Sequence, residues 1–469
     1  MRLHDLLFGL ACLAAVAHVG WLLNAHLRAQ AGIQPLVVDE LARADDRLSL
    51  DEALRVAPAR DAAADLPDVV LIVLGGARAD RFPAPGSATA AWAEDAAVFT
   101  DVLAPAPYLH ASLASLATGL LPGEHGAILS PLGVMRTLPE ERTTLAERLQ
   151  EAGYRTVMLS AARSLAGLGL DQGFDVVVDS QLAPADENLP YAQGDRITAL
   201  ALAALEARGD APVFLQVVYA DAELPWVIRD GYCEAPVEAP EALPPGGMLR
   251  TRRDFRQTRA RILGRHRMPT PAELDAWSTA YGSELCFLDA QLAQLLTEGA
   301  GLDDGDLVLI VGSHGQYLGE HQLLGWGLDV YQEALAVPVL ARGPGFAPGQ
   351  VDTPLSLIDL PGLLLDALGL PGLPAPRLTP PPGTRVAELH GALGPDRQPI
   401  YGRRFARSRR AFVNGGRKLL LSSDQRHEAY DLTRDPHEQD PVRGADWVDG
   451  LRDEAAAWAQ TASGFQGAR

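Results

Sequence analysis

The stretch VVLIVLGGARADRF, residues 69–82, decides the fold. Its apolar run from Val69 to Leu74 does not alternate, which is the pattern of a strand buried on both faces, as in a parallel sheet. In such sheets function collects just beyond the carboxyl end of a strand. Gly75 and Gly76 occupy that place, and they offer backbone and room but no side-chain ligand. From residue 67 onward, apolar runs alternate with amphipathic stretches, the mark of an α/β sheet. The pattern predicts strands at 69–74, 155–160, 213–219, 306–312 and 337–342, and helices at 142–152, 195–208, 273–298 and 355–369. Short strands near 411–421 and a last helix near 447–460 follow.

Of the 469 residues, 47% are hydrophobic and 21% charged, which describes a globular chain and excludes a disordered or fibrous one. A net charge of −20 argues against nucleic acid as a partner. Residues 6–23, LLFGLACLAAVAHVGWLL, are apolar enough and long enough to span a bilayer behind Arg2. Residues 1–31 are therefore expected to be a signal anchor or transmembrane helix, or a cleaved signal segment, with Ala29-Gln30-Ala31 as the small-x-small cleavage site. As an anchor, residues 6–23 make the membrane a partner; anchored or cleaved, the bulk of the chain is expected outside the cytoplasm, periplasmic or extracellular. Residues 32–66 read as a linker or stalk. Cys12 lies in the apolar run, and the spacing of Cys233 and Cys286 leaves their pairing open.

Residues 230–275 interrupt the pattern with a Pro-rich opening and then LRTRRDFRQTRARILGRHR, which holds eight arginines between 250 and 267. Burying so many guanidinium groups is costly unless each is paired, so the segment is expected as an exposed helix or loop forming a positive patch. Arg252, Arg256 and Arg259 are its expected contacts to an anionic glycan, lipid or protein partner.

Five further stretches carry a family resemblance: APYLHASLASLATGLLPGEHG (106–126), GLDQGFD (169–175), FLQVVYADAELPW (214–226), LVLIVGSHGQYLGEHQLLGWGLDVYQEALAVPVLARGPG (307–345) and GGRKLLLSSDQRHEAYDLTRDPHEQ (415–439). Together with the first strand, whose family form is close to VVLIVLDTLRADR, they resemble the sulfatase branch of the alkaline phosphatase superfamily, in the family's order, over roughly residues 67–460. The resemblance implies an α/β sandwich with a mostly parallel central sheet flanked by helices at 67–383, and a small C-terminal α+β subdomain at 384–469.

The same resemblance implies a chemistry that the residues do not supply. A sulfatase uses Ca or Mg held by oxygen ligands, a formylglycine nucleophile made from Cys or Ser, and cationic or imidazole groups around the sulfate. The metal-ligand positions fall on Gly75, Gly76, Ser313 and His314, of which only His314 keeps the family's residue. The nucleophile position falls on Leu109, which cannot attack. Leu113, Glu223 and Trp326 stand where the family has Arg or His, His, and His or Lys. No catalytic residue, metal or cofactor is therefore expected. The chain reads as a membrane-anchored pseudoenzyme acting by binding, to a glycan, a lipid or an active sulfatase. The alternative is a sulfuric ester or phosphoester hydrolase with a displaced active site.

Overall fold

The computed structural model describes residues 36–37, 66–130, 134–162, 165–179, 193–209, 211–233, 252–299, 301–376, 378–391 and 402–461. The expected membrane segment 6–23 lies outside the described residues. Among the described residues, no helix is long and apolar enough to cross a membrane.

The core is a nine-stranded sheet. In chain order its strands are β1 (Leu36–Val37), β2 (Val69–Gly75), β3 (Ala97–Phe99), β4 (Arg155–Ser160), β5 (Val176–Val178), β6 (Val213–Tyr219), β7 (Leu307–His314), β8 (Val339–Arg342) and β9 (Gly349–Val351). Their spatial order is β1-β5-β4-β6-β2-β7-β8-β3-β9. The block from β1 through β7 is parallel throughout, β8 runs antiparallel to both of its neighbours, and β9 is parallel to β3. The sheet is thus mostly parallel, as its unalternating apolar strands require.

β2 shows why. Val69, Leu71 and Val73 enter one hydrophobic cluster while Val70, Ile72 and Leu74 enter another, one on each face of the sheet. On the first face lie helices α1 (Leu109–Thr118), α2 (Leu145–Glu151) and α6 (Leu360–Ala367). The second face is covered by α3 (Gly194–Glu206) and α5 (Pro271–Glu298). Both α2 and α5 start at capping boxes, Thr144 with Glu147 and Thr270 with Glu273, each closing two helix-end N–H groups reciprocally. Between α3 and α5 in the chain comes α4 (Arg252–Leu263), the helix expected from the arginine run.

Two boundaries differ from the sequence expectation in ways that matter for the site. The strand expected at 306–312 continues through Ser313 and His314, which carries both residues to the strand's end. The helix expected at 355–369 begins only at Leu360, because Leu355–Ser356 pairs as a short strand with Val102–Leu103.

Beyond residue 384, a four-stranded antiparallel sheet forms from β10 (Arg385–Leu389), β11 (Arg409–Asn414), β12 (Arg417–Ser422) and β13 (Glu428–Asp431), with α7 (Asp446–Thr461) packed on it. Phe412, Leu419 and Leu421 pack with Val448, Leu451 and Trp458, while Ala387, Leu389, Val413 and Leu420 join the main core. Buried polar contacts tie the two parts: Arg409 meets Asp329 at 2.7 Å, and Lys418 Nζ donates to Gln332 Oε1 at 3.0 Å. Cys233 and Cys286 form a disulfide that pins the segment before α4 to α5.

Candidate functional site

Parallel β2 and β7 end side by side, and a register shift after Leu74 sets Gly75 opposite His314. The chain thus brings Gly75, Gly76, Ser313 and His314 together from sequence positions more than two hundred residues apart. Ser313 is 1% exposed, and its hydroxyl donates to the Leu74 carbonyl at 3.4 Å and lies 2.9 Å from His314 Nδ1. Gly76 sits at φ +79°, a conformation that favours glycine. Its carbonyl accepts the Tyr281 hydroxyl at 2.8 Å, and that hydroxyl in turn accepts the Arg78 N–H at 3.0 Å.

The room left by the glycines is filled from the loop after β6. A Cβ added to Gly75 would stand 2.9 Å from Glu223 Oε1 and 3.2 Å from the Tyr219 carbonyl. A Cβ on Gly76 would stand 3.1 Å from both the Ala222 carbonyl and Gln316 Nε2. Gln316 donates to the Ala222 carbonyl and, at 3.4 Å, to that of Gly76. Glu223 therefore does not line an anion pocket, as its family position suggests; it plugs the place vacated at the end of β2.

Glu223 Oε1 lies 3.7 Å from His314 Nε2. The two are not an ion pair at neutral pH. Burial pushes the Glu223 carboxyl up to about 8, so it keeps its proton. Burial, with His110 adding to it, pushes the His314 imidazole down to about 3, and burial alone takes His110 down to about 4. Neither Glu223 nor His314 then supplies the positive charge that a sulfate site uses. Trp326 closes it on another side, its ring edge-on to His314 with centroids 6.3 Å apart.

Two expected site residues fall elsewhere. Leu113 belongs to the next turn of α1 and lies in the core beside Leu138, Phe174 and Phe214. A residue four places beyond Leu109 projects one turn along the helix, and an apolar one stays in the core there. Arg259, expected in an exposed patch, turns inward instead: Nη2 donates to the Trp326 carbonyl at 3.0 Å and the guanidinium sits 6.0 Å over the indole ring. Half-buried packing of its stem and a cation–π contact stabilise that orientation. The side chains of Arg252 and Arg256 lie outside the described residues. Leu109 does open α1 and is 4% exposed.

The donor set does not fit a hard divalent cation. Such an ion takes six or more oxygens, and the strand ends offer one carboxyl, that of Glu223, and one hydroxyl already engaged with Leu74 and His314. Among the described residues, no group of three or more His, Cys, Asp or Glu side chains could hold a metal. The helix start does not fit a formylglycine either, since Leu109 holds that position and Ser112 is buried, donating to the Ala106 carbonyl at 2.8 Å.

The sulfatase family profile matches residues 67–370, more than half of the chain. The chain belongs to the sulfatase family. Two curated sulfatases match over short stretches: the choline-sulfatase of Rhizobium meliloti (strain 1021), 35% identical over 94 residues, and the uncharacterized sulfatase YidJ of Escherichia coli (strain K12), 31% identical over 147 residues. These matches cover 19% and 30% of this sulfatase-family chain, and only 18% and 29% of the relatives' own lengths. Solved structures agree with the fold over far more of it. A Bacteroides thetaiotaomicron VPI-5482 protein assigned to the sulfatases aligns with TM-score 0.63 at 17% identity, covering 84% of this chain and 92% of its own. The phosphonate monoester hydrolase of Agrobacterium radiobacter aligns with TM-score 0.60 at 18% identity, covering 84% and 95%.

Proposed function

We propose that this sulfatase-family protein is a pseudoenzyme that acts by binding at a membrane outside the cytoplasm. The observation that carries this reading is the Glu223 plug: a neutral carboxyl group fills the place where a metal-ligating side chain would start. A fold supplies no chemistry unless its site does. Among the described residues no cluster could hold a metal, and Leu109 takes the nucleophile position, while the surrounding core stays closely packed. The Cys233–Cys286 disulfide supports an oxidising compartment, as does the apolar run at 6–23.

The test is turnover. Purified protein supplied with Ca²⁺ or Mg²⁺ is expected to hydrolyse aryl sulfates and phosphate esters no faster than buffer. Leu109→Cys is expected to leave that unchanged, because catalytic groups that act as a unit are not restored singly. Metal-dependent turnover by the unmodified chain would favour hydrolysis by displaced residues.

A further inference from the structure

The protein is acidic overall, yet the turn joining α4 to α5 is basic and apolar at once. Arg261, Arg265 and His266 are exposed there, and Met268 and Leu274 are 59% and 38% exposed. Only five large hydrophobic side chains are exposed among the described residues, so two of them falling within seven residues, on the turn and the first turn of α5, is a concentration rather than scatter. Between Arg261 and Leu274 the single carboxylate is Glu273, and Arg267 ties it down with two charge-assisted bonds of 2.6 and 2.5 Å. Asp275 follows as the next acidic residue in the chain.

The turn is also held in shape. α4 ends at Leu263, Arg265 takes a left-handed φ of 57°, and the Thr270–Glu273 capping box starts α5. Arg267 Nη1 donates to the Met268 carbonyl at 3.2 Å as well as to Glu273. Rigid presentation lowers the ordering cost of binding.

We propose that this turn docks on an anionic lipid surface, with Arg261, Arg265 and His266 meeting phosphate-bearing headgroups while Met268 and Leu274 enter the acyl boundary. Charge complementarity selects a negative partner. The exposed methionine and leucine select a bilayer over a soluble sulfated glycan, which offers no apolar layer to receive them. The apolar run at 6–23 would keep such a surface within reach, so a weak contact suffices. The assignment is independent of the catalytic status of the strand-end pocket.

Full-length protein is reconstituted into vesicles of phosphatidylcholine alone or mixed with phosphatidylserine, and hydrogen exchange of residues 261–274 is followed in both. The apolar run inserts into either, so the difference reads the turn. Phosphatidylserine is expected to slow exchange there, and high salt to abolish the effect. Each arginine is worth roughly fivefold in docking, so the Arg261→Ser/Arg265→Ser double variant should weaken it about 25-fold. Both residues are exposed, so the fold persists in that variant. Met268→Ser should weaken docking to a smaller degree. Equal exchange in both vesicle types overturns the proposal, and so does equal protection by a heparin oligosaccharide without vesicles, which would mark a glycan site instead.

Discussion

Gly75→Asp, which restores the family's residue at the end of β2, is expected to destabilise the protein by about 4 kcal/mol rather than prepare it to bind metal. No backbone strain is involved, since Gly75 does not sit at a left-handed φ. The obstacle is space and charge. The new Cβ would press on Glu223 Oε1 at 2.9 Å and on the Tyr219 carbonyl at 3.2 Å. Overpacking of this kind costs roughly 1–3 kcal/mol, and a second acid beside Glu223 must stay protonated or lie uncompensated. Gly75→Ala, which adds only the Cβ, should cost less. Adding Glu223→Ala to Gly75→Asp should recover more than half of the loss, because the side chain that fills the space is gone. Denaturant unfolding of the three variants gives the coupling between positions 75 and 223 directly. A tolerated single Gly75→Asp would mean that Glu223 is not a plug.

Glu223 should also leave its mark on the pH dependence of stability. Its ordinary value is 4.5 and burial takes it to about 8 in the fold. Between those values the unfolded chain has released the proton and the folded chain still holds it. Unfolding then releases a proton, so stability falls as pH rises, by up to about 1.4 kcal/mol per pH unit. Below about pH 4.5 and above about pH 8 the contribution is flat. Across the window it amounts to roughly 5 kcal/mol at most. Glu223→Gln keeps the shape and has no proton to lose, so it should be the more stable form from neutral pH upward. Asp221 and Glu284 are also raised, by burial against the pull of Arg229, so the difference between wild type and variant isolates Glu223. Parallel curves for the two proteins from pH 5 to 8 would show an ionised Glu223 and contradict its neutral state.

Much of this fold was legible because its elements follow short-range rules. The strands at 155–160 and 213–219 coincide with their apolar runs, and Thr144 and Thr270 announce their helices through a Glu three residues on. The family resemblance put Gly75 and His314 in one site, but their pairing across β2 and β7 depends on a register shift that no motif announces. What the sequence did not disclose depends on side-chain direction and long-range packing. Glu223 is a charged residue on a loop, which ordinarily reads as solvated, and nothing local says that it turns into a vacant strand end. Tyr281 anchors Gly76 from a helix 205 positions away in the chain. Arg259 sits in an arginine run, and nothing local separates it from Arg261, which stays exposed. Leu113 shares a motif with Leu109 and, four residues on, the same face of α1, and both are buried in the core. The disulfide needed coordinates, because two thiols 53 residues apart carry no pairing signal.

The most direct test of the pseudoenzyme account is the calcium and magnesium content of the purified protein after dialysis. The account predicts far less than one ion per chain, because Gly75, Gly76 and Ser313 supply a single hydroxyl among them, and that hydroxyl is already bonded. One tightly held divalent ion per chain, lost together with any aryl-sulfate turnover in His314→Ala, would contradict it.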